Sequence, residues 1–218
     1  MGKQKLSAVV FDCDGVLIES NVIKTVAFGQ TVAEFGQMAM DQLMEYHRNH
    51  GGISRFKKFE WFYGNVVKAP LSDEMMDELC GRFTALCIQA VLDAPMVAGA
   101  RQSLDLLYDR LPLFVASGTP EKELREVLTK KGLARYFKGI SGTPPEKQFL
   151  LERIITENNL NAAQVLMVGD ATTDMEAARY CNTLFYGRGE RFAKDNVPWS
   201  EDLTGLIEYL ARRFNICQ

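Results

Sequence analysis

The sequence predicts an α/β protein, a Rossmann-like parallel sheet core with an inserted all-helical domain, and three observations predict it. Compact apolar, β-branched runs recur at Leu6 to Phe11, Leu111 to Ser117, Gln164 to Asp170 and Thr183 to Gly187, without the polar alternation of a half-exposed strand. Segments of helical period lie between and after them, and strand followed by helix, repeated, is the α/β pattern. From about Ser20 to Leu92 the strand signal vanishes and the chain reads as helical. At 218 residues, 47% of them hydrophobic, the chain is long enough for a sizeable core, which excludes disordered and collagen-like classes.

The first strand, Leu6 to Phe11, stops at a polar loop. The helical stretch interrupts the alternation directly after it, so residues 1–18 and 95–218 are expected to form the core and residues 19–94 the insertion. Within the insertion, Ser72 is expected to cap a helix whose stripe runs through Met75, Met76, Leu79, Phe83, Leu86, Cys87 and Ala90. Phe56, Phe59 and Phe62 or Tyr63 recur at helical spacing beside Arg55 and Lys58, just after the pair Gly51-Gly52. Those aromatics are expected to form core and not a base-stacking surface. Back in the core, helices are expected over Glu121 to Lys131, Glu146 to Asn158, Thr172 to Cys181 and Asp202 to Arg213. Right-handed crossovers gather the strand ends, and the motif residues on them, at one edge of the sheet.

The acidic residues cluster at those strand ends. Asp12-Cys13-Asp14-Gly15 follows the first strand, and two carboxylates that close repel each other unless a cation lies between them. A hard cation with oxygen ligands, such as Mg²⁺, resolves the repulsion and also screens the charge of a phosphate, so metal and phosphate are implied together. Asp170 and Asp174 supply a second acidic pair at the end of the third run, with Thr172 the expected cap of the next helix. Ser117 and Gly118 end the second run with a hydroxyl and an accessible amide suited to phosphate oxygens. Lys147, after the turn Gly142-Thr143-Pro144-Pro145, adds a cation. Cys13 is expected to point away from both aspartates, as a small buried hydrophobe.

With these four pieces in order, Asp12-Cys13-Asp14-Gly15-Val16, Ser117, Lys147 and Gly169-Asp170 through Asp174, the sequence resembles the haloacid dehalogenase-like superfamily. The resemblance is to members with a helical C1-type cap, of the phosphoglycolate phosphatase and β-phosphoglucomutase kind. It implies Asp12 as the nucleophile that forms an aspartyl-phosphate, and Asp14 as acid and then base, which asks for a carboxyl able to hold a proton near neutral pH. It further implies Mg²⁺ held by the Asp12 carboxylate, the Asp14 backbone carbonyl and Asp170, with Asp174 in support, and a phosphoryl group bound by Ser117, Gly118 and Lys147. Cap loops of such proteins close over the phosphate site, which makes Lys24, Arg55 and Lys58 candidates for substrate contact.

The activity this implies is a Mg²⁺-dependent phosphatase acting on a small phosphomonoester, a sugar phosphate or a phosphoglycolate-like compound. A phosphosugar mutase is the nearest alternative, but Lys24 stands where similar mutases carry a His, twelve residues after the nucleophile position. A non-hydrolytic phospho-accepting module is the alternative from another class; it needs neither the insertion nor the Asp12/Asp14 pair. Asp14 argues against the metal-free dehalogenase branch. His47 and His50 are spaced i, i+3 with no third ligand in view, which does not make a zinc site.

The net charge of −3 gives no field to hold a polyanion, so nucleic acid is not an expected partner. No apolar run approaches the roughly 20 residues needed to cross a bilayer, so no membrane is expected either. The segment Met1-Gly2-Lys3-Gln4-Lys5-Leu6 lacks a signal h-region and the Ser or Thr of a myristoylation site. Cys13, Cys80, Cys87, Cys181 and Cys217 are odd in number and unpatterned, which fits reduced thiols and a cytoplasmic protein, monomer or homodimer.

Overall fold

A computed structural model describes residues 4–214; the readings placed on Met1 to Lys3 and on Cys217 lie outside them. Six parallel strands form one sheet in the order β3-β2-β1-β4-β5-β6: β1 (Ala8–Phe11), β2 (Leu113–Pro120), β3 (Gly139–Thr143), β4 (Val165–Gly169), β5 (Leu184–Arg188) and β6 (Trp199–Ser200). The helices are α1 (Asn21–Thr31), α2 (Gln37–Asn49), α3 (Arg55–Phe62), α4 (Asp73–Asp93), α5 (Ala100–Leu107), α6 (Glu121–Lys130), α7 (Lys147–Glu157), α8 (Thr172–Tyr180) and α9 (Thr204–Arg213).

The lack of polar alternation in the strands has a direct cause: both faces of the sheet are covered. Val9, Phe11, Leu113, Val115, Leu166 and Val168 pack on one side with Leu104 of α5, Leu128 of α6 and Leu210 of α9. The intervening Ala8, Val10, Phe114, Ala116, Val165 and Met167 pack on the other with Leu151 of α7 and Met175 of α8. β1 lies between β2 and β4, where the strand order reverses, and the crevice beyond the strand ends at that reversal is where open α/β sheets place ligands.

Two strands and one helix of the core were not legible in the sequence. β3 is Gly-Ile-Ser-Gly-Thr, too rich in glycine and hydroxyls to stand out as an apolar run, and β6 is two residues long. α5 buries Ala100, Ser103, Leu104 and Leu107.

The chain leaves the sheet after Ile18 and returns at Pro95, and the two crossings are stitched together. Glu19 N donates to Pro95 O at 3.0 Å, and Val97 N donates to Leu17 O at 3.1 Å. Arg188 at the end of β5 braces the exit by donating to Gly15 O at 3.0 Å and pairing with Glu19 at 2.7 Å. α1 to α4 fill the interval between the crossings.

The inserted helices bury Phe28, Leu43, Phe59, Phe62 and Phe83, with Tyr63 also buried and Phe56 only partly so. Ser72 caps α4, its hydroxyl accepting from Met75 N at 3.3 Å. The α4 stripe departs from expectation: Leu79, Phe83, Cys87 and Val91 are buried at intervals of four, whereas Met75, Leu86 and Ala90 are exposed. α4 packs mainly on α1, and a single neighbouring helix covers a narrower stripe than a full apolar face. Among the described residues no helix is long and apolar enough to cross a membrane, and Cys13, Cys80, Cys87 and Cys181 are free thiols.

Candidate active site

Asp12 follows β1 and Asp170 follows β4, the two strands that flank the reversal of strand order. Asp12 N donates to Val168 O at 2.9 Å, so the sheet ladder extends to the aspartate and fixes its backbone. Its Oδ1 accepts from Cys13 N at 2.7 Å, while Oδ2 pairs with Lys147 Nζ at 2.8 Å. Lys147 opens α7, and its ammonium also bonds Asp174 Oδ1. Asp174 Oδ2 accepts from Ala171 N at 3.0 Å. The carboxylate at the third helical position therefore reaches back to the helix start, and it is Asp174, not the exposed Thr172, that caps α8.

One carboxylate oxygen each from Asp12, Asp170 and Asp174 lies within 4.8 Å of the others. Burial first, and then the neighbouring carboxylates, push Asp12 up to about 7 against the pull of Lys147. Burial and Asp174 push Asp170 up to about 6, although Asn21 Nδ2 donates to it at 2.6 Å. Three carboxylates facing one ammonium, two of them buried and Asp170 partly so, are short of positive charge, and their oxygens are hard donors; the set fits a Mg²⁺-like cation. Gly15 turns the backbone past this cluster at φ +70°, where a Cβ would overlap Asp170 and Asn21.

The Asp14 carboxyl turns away from that cluster, so its side chain is not among the oxygens that converge there. It accepts from Ser20 Oγ at 2.6 Å, Lys24 Nζ at 2.6 Å and Thr119 Oγ1 at 2.8 Å. Burial works to raise its pKa, but the Lys24 charge and the three hydrogen bonds outweigh it and hold the carboxyl well below the usual carboxylate range. This departs from the expectation of a carboxyl that carries a proton near neutral pH, because three donors favour the ionised form.

Ser117 and Thr119 are both buried in β2, and Thr119 N donates to Ser117 Oγ at 3.2 Å. The β2–β3 register shifts between Ser117 and Pro120, which takes Gly118 and Thr119 out of the regular ladder. Thr119, Asn21 and Ser20 were not singled out from sequence. Period two from Ser117 is a signal for Thr119. No local signal marks Asn21 or Ser20, which reach the site through the path of the chain into α1.

The inserted helices meet the site directly. Thr173 Oγ1 donates to Gly51 O at 2.8 Å, Lys24 Nζ donates to Thr119 Oγ1 at 2.8 Å, and Lys57 pairs with Glu146. Gly52, at φ +76°, sits against Thr173 and Lys147, and a Cβ on Gly118 would collide with the Gly52 carbonyl. Arg55 and Lys58 are both buried, yet they differ in partners. Arg55 pairs with Glu123 of α6 at 2.6 Å and bonds Thr84, so its charge is spent on holding α3 to the core. Lys58 bonds, among the described residues, the His47 ring, at 2.7 Å. His50 stacks on Tyr46, and among the described residues neither histidine belongs to a cluster of three or more metal-ligating groups. Cys13 is buried in the apolar cluster, as expected.

A cavity of about 290 Å³ opens between the sheet edge and α1 to α3, lined by Asp12, Asp14, Lys24, Lys58, Ser117 and Asp170 among others. A carboxylate at a strand end, an oxygen cluster that could hold a cation, hydroxyls and ammonium groups that converge on one small cavity are chemically suited to phosphoryl transfer.

Gly52→Val is expected to lower kcat/KM about 10- to 100-fold by pushing the Gly51-Gly52 loop off Thr173 and Lys147, since small misplacements at a reacting centre cost that much. Steady-state kinetics, with circular dichroism to verify folding, would show it. An unchanged kcat/KM would mean that the contact plays no part in turnover.

Residues 9–187 match the family model of haloacid dehalogenase-like hydrolases. A phosphoglycolate phosphatase of Vibrio parahaemolyticus is 25% identical over 97% of this chain and 99% of its own length. In fold, the chain is similar to a β-phosphoglucomutase from Clostridium difficile, at TM-score 0.78 and 19% identity over 96% of this chain and 97% of that one. It is also similar to a predicted phosphoglycolate phosphatase from Haemophilus somnus, at TM-score 0.75 and 17% identity over 95% and 99% of the two chains.

Proposed function

The chain belongs to the haloacid dehalogenase-like hydrolases, and on that premise we propose that it is a Mg²⁺-assisted phosphatase that hydrolyses a small phosphomonoester, a sugar phosphate or phosphoglycolate-like compound, through Asp12. The observation that carries this reading is the convergence of Asp12, Asp170 and Asp174 at the reversal of strand order, with Lys147 paired to Asp12 and Asp174, beneath a small cavity.

Asp12 attacks phosphorus in line and becomes an aspartyl-phosphate, which water then cleaves. Asp12 and Asp170 would hold the cation with Asp174 beside them, and when bound the cation neutralises charge on the carboxylates and on the phosphoryl oxygens. Lys147, the Ser117 hydroxyl and the Gly118 amide bind the transferring group. Asp14 serves as acid and base: protonated as the substrate's charge enters the cavity and competes for Lys24, it gives that proton to the leaving ester oxygen and takes one back from the water that cleaves the aspartyl-phosphate. The Gly51-Gly52 loop and α3 exclude bulk water during the reaction.

Free phosphate release from a panel of sugar phosphates, phosphoglycolate, nucleotides and an aryl phosphate tests the reading. We expect release with Mg²⁺ that EDTA abolishes and added Mg²⁺ restores. Interconversion of hexose phosphates without free phosphate would instead identify a mutase, and a stable acyl-phosphate would identify a phospho-accepting module.

A further inference from the structure

The three acids of the oxygen cluster are not held alike. Asp12 is fixed by Cys13 N at 2.7 Å and by Lys147 at 2.8 Å, and Asp174 by Ala171 N at 3.0 Å and by the same lysine. All of those partners belong to the sheet core. Among the described residues the hydrogen bond to the Asp170 side chain comes instead from the inserted helices, Asn21 Nδ2 donating to Oδ2 at 2.6 Å.

Asn21 opens α1, and the start of that helix is built against its own local interest. Ser20 stands at the N-cap, where a serine hydroxyl ordinarily accepts from the first turn, yet α1 has no side-chain cap. The hydroxyl donates to Asp14 at 2.6 Å, while Asn21 and Lys24 turn their polar ends to Asp170 and Asp14. One helical turn of the insertion thus reaches acids that follow two different strands, β1 and β4. The loop leaves room for the contact. The Asn21–Asp170 bond lies against the bare Cα of Gly15, where a Cβ would come within 2.2 Å of Asn21 Nδ2 and 2.3 Å of Asp170 Oδ2. The Asn21 backbone is tied as well, its carbonyl accepting from Thr25 Oγ1 at 2.8 Å.

We propose that Asn21 is a positioning residue for the cation site: it holds the Asp170 carboxylate with an oxygen in the cluster and, as part of the insertion, couples cation binding to the docking of the inserted helices on the sheet. This rests on the Mg²⁺ reading of the cluster and adds the residue through which the insertion acts on it. A group that hydrogen-bonds a ligating carboxylate fixes its orientation, and losing such a group costs roughly 10- to 100-fold in metal affinity. Linkage makes the effect mutual: whatever affinity the docked insertion adds, the bound cation returns as tighter docking.

Calorimetric titration of the whole protein with Mg²⁺, without substrate, tests this in wild type, Asn21→Ala and Asn21→Leu. Leucine keeps the bulk of the amide and lacks its donor. Both variants are expected to bind Mg²⁺ about 10-fold more weakly, with metal-free Tm values close to that of wild type because the bond they lose is exposed. Hydrogen exchange at saturating Mg²⁺ reads the coupling. Mg²⁺ should slow exchange across residues 21–31 several-fold in wild type and leave it nearly unchanged in both variants.

Variants that bind Mg²⁺ as tightly as wild type overturn the proposal and leave the cation site standing. Weaker binding in Asn21→Ala that Asn21→Leu restores gives Asn21 a packing role and overturns it too. Weaker binding with exchange slowed as much as in wild type overturns the coupling. A wild type that binds no Mg²⁺ overturns the cation reading of the cluster, and the proposal with it.

Discussion

Asp12→Asn is expected to reduce Mg²⁺-dependent phosphate release by about 10⁴-fold or more, in line with the loss of a nucleophile in other hydrolases. The amide has nearly the same shape, so the Cys13 N contact at 2.7 Å and the place at the end of β1 persist, and the fold is retained. What disappears is the attacking oxygen anion, and no other carboxylate takes its position: Asp14 is held by Ser20, Lys24 and Thr119, and Asp170 by Asn21. Turnover of the best substrate, measured by free phosphate beside circular dichroism, decides it. Residual activity within 10-fold of wild type in a pure preparation would show that another group attacks phosphorus.

Lys147→Met is expected to affect stability and activity together. The ammonium is buried between Asp12 and Asp174, with side-chain exposures of 3%, 4% and 0%. Removing one partner of a buried ionic cluster costs about 3–5 kcal/mol, because the remaining carboxylates stay out of water without compensation. For a chain of this size the loss corresponds to a fall in Tm of roughly 10 °C without metal. Added Mg²⁺ should restore more of the Tm in the variant than it adds to wild type, since it supplies the positive charge the carboxylates lost. Phosphate release should drop about 10²- to 10³-fold even with Mg²⁺, the cost of deleting one preorganised contact to the transferring group. A metal-free Tm equal to that of wild type would mean that the cluster is relieved by protonation, and that Lys147 does not anchor it.

The four apolar runs that the sequence marked are strands of the sheet, because a strand buried on both faces has to be apolar throughout and that pattern survives translation into residues. The other two strands, glycine-rich β3 and two-residue β6, are the two edges of the sheet, where no long apolar run is required. Arg55 and Lys58 illustrate the limit from the other side. They sit three residues apart on α3 and read alike, yet one is neutralised by Glu123 and the other is left with His47.

By itself the sequence determined the α/β alternation, the position of the helical insertion, and the acids, hydroxyl and lysine that gather at the strand ends. Each of these follows from local rules: hydrophobic period, strand-end position and the chemistry of the residue type. Only the tertiary structure decided which charges meet. It set Lys24 against Asp14 and away from solvent, made Asp174 the cap of α8 and a partner of Lys147, and laid Gly52 on Thr173. Protonation and pairing depend on distance and burial between segments far apart in the chain, and Coulomb energy at a few ångströms is not encoded in the spacing of residues along it.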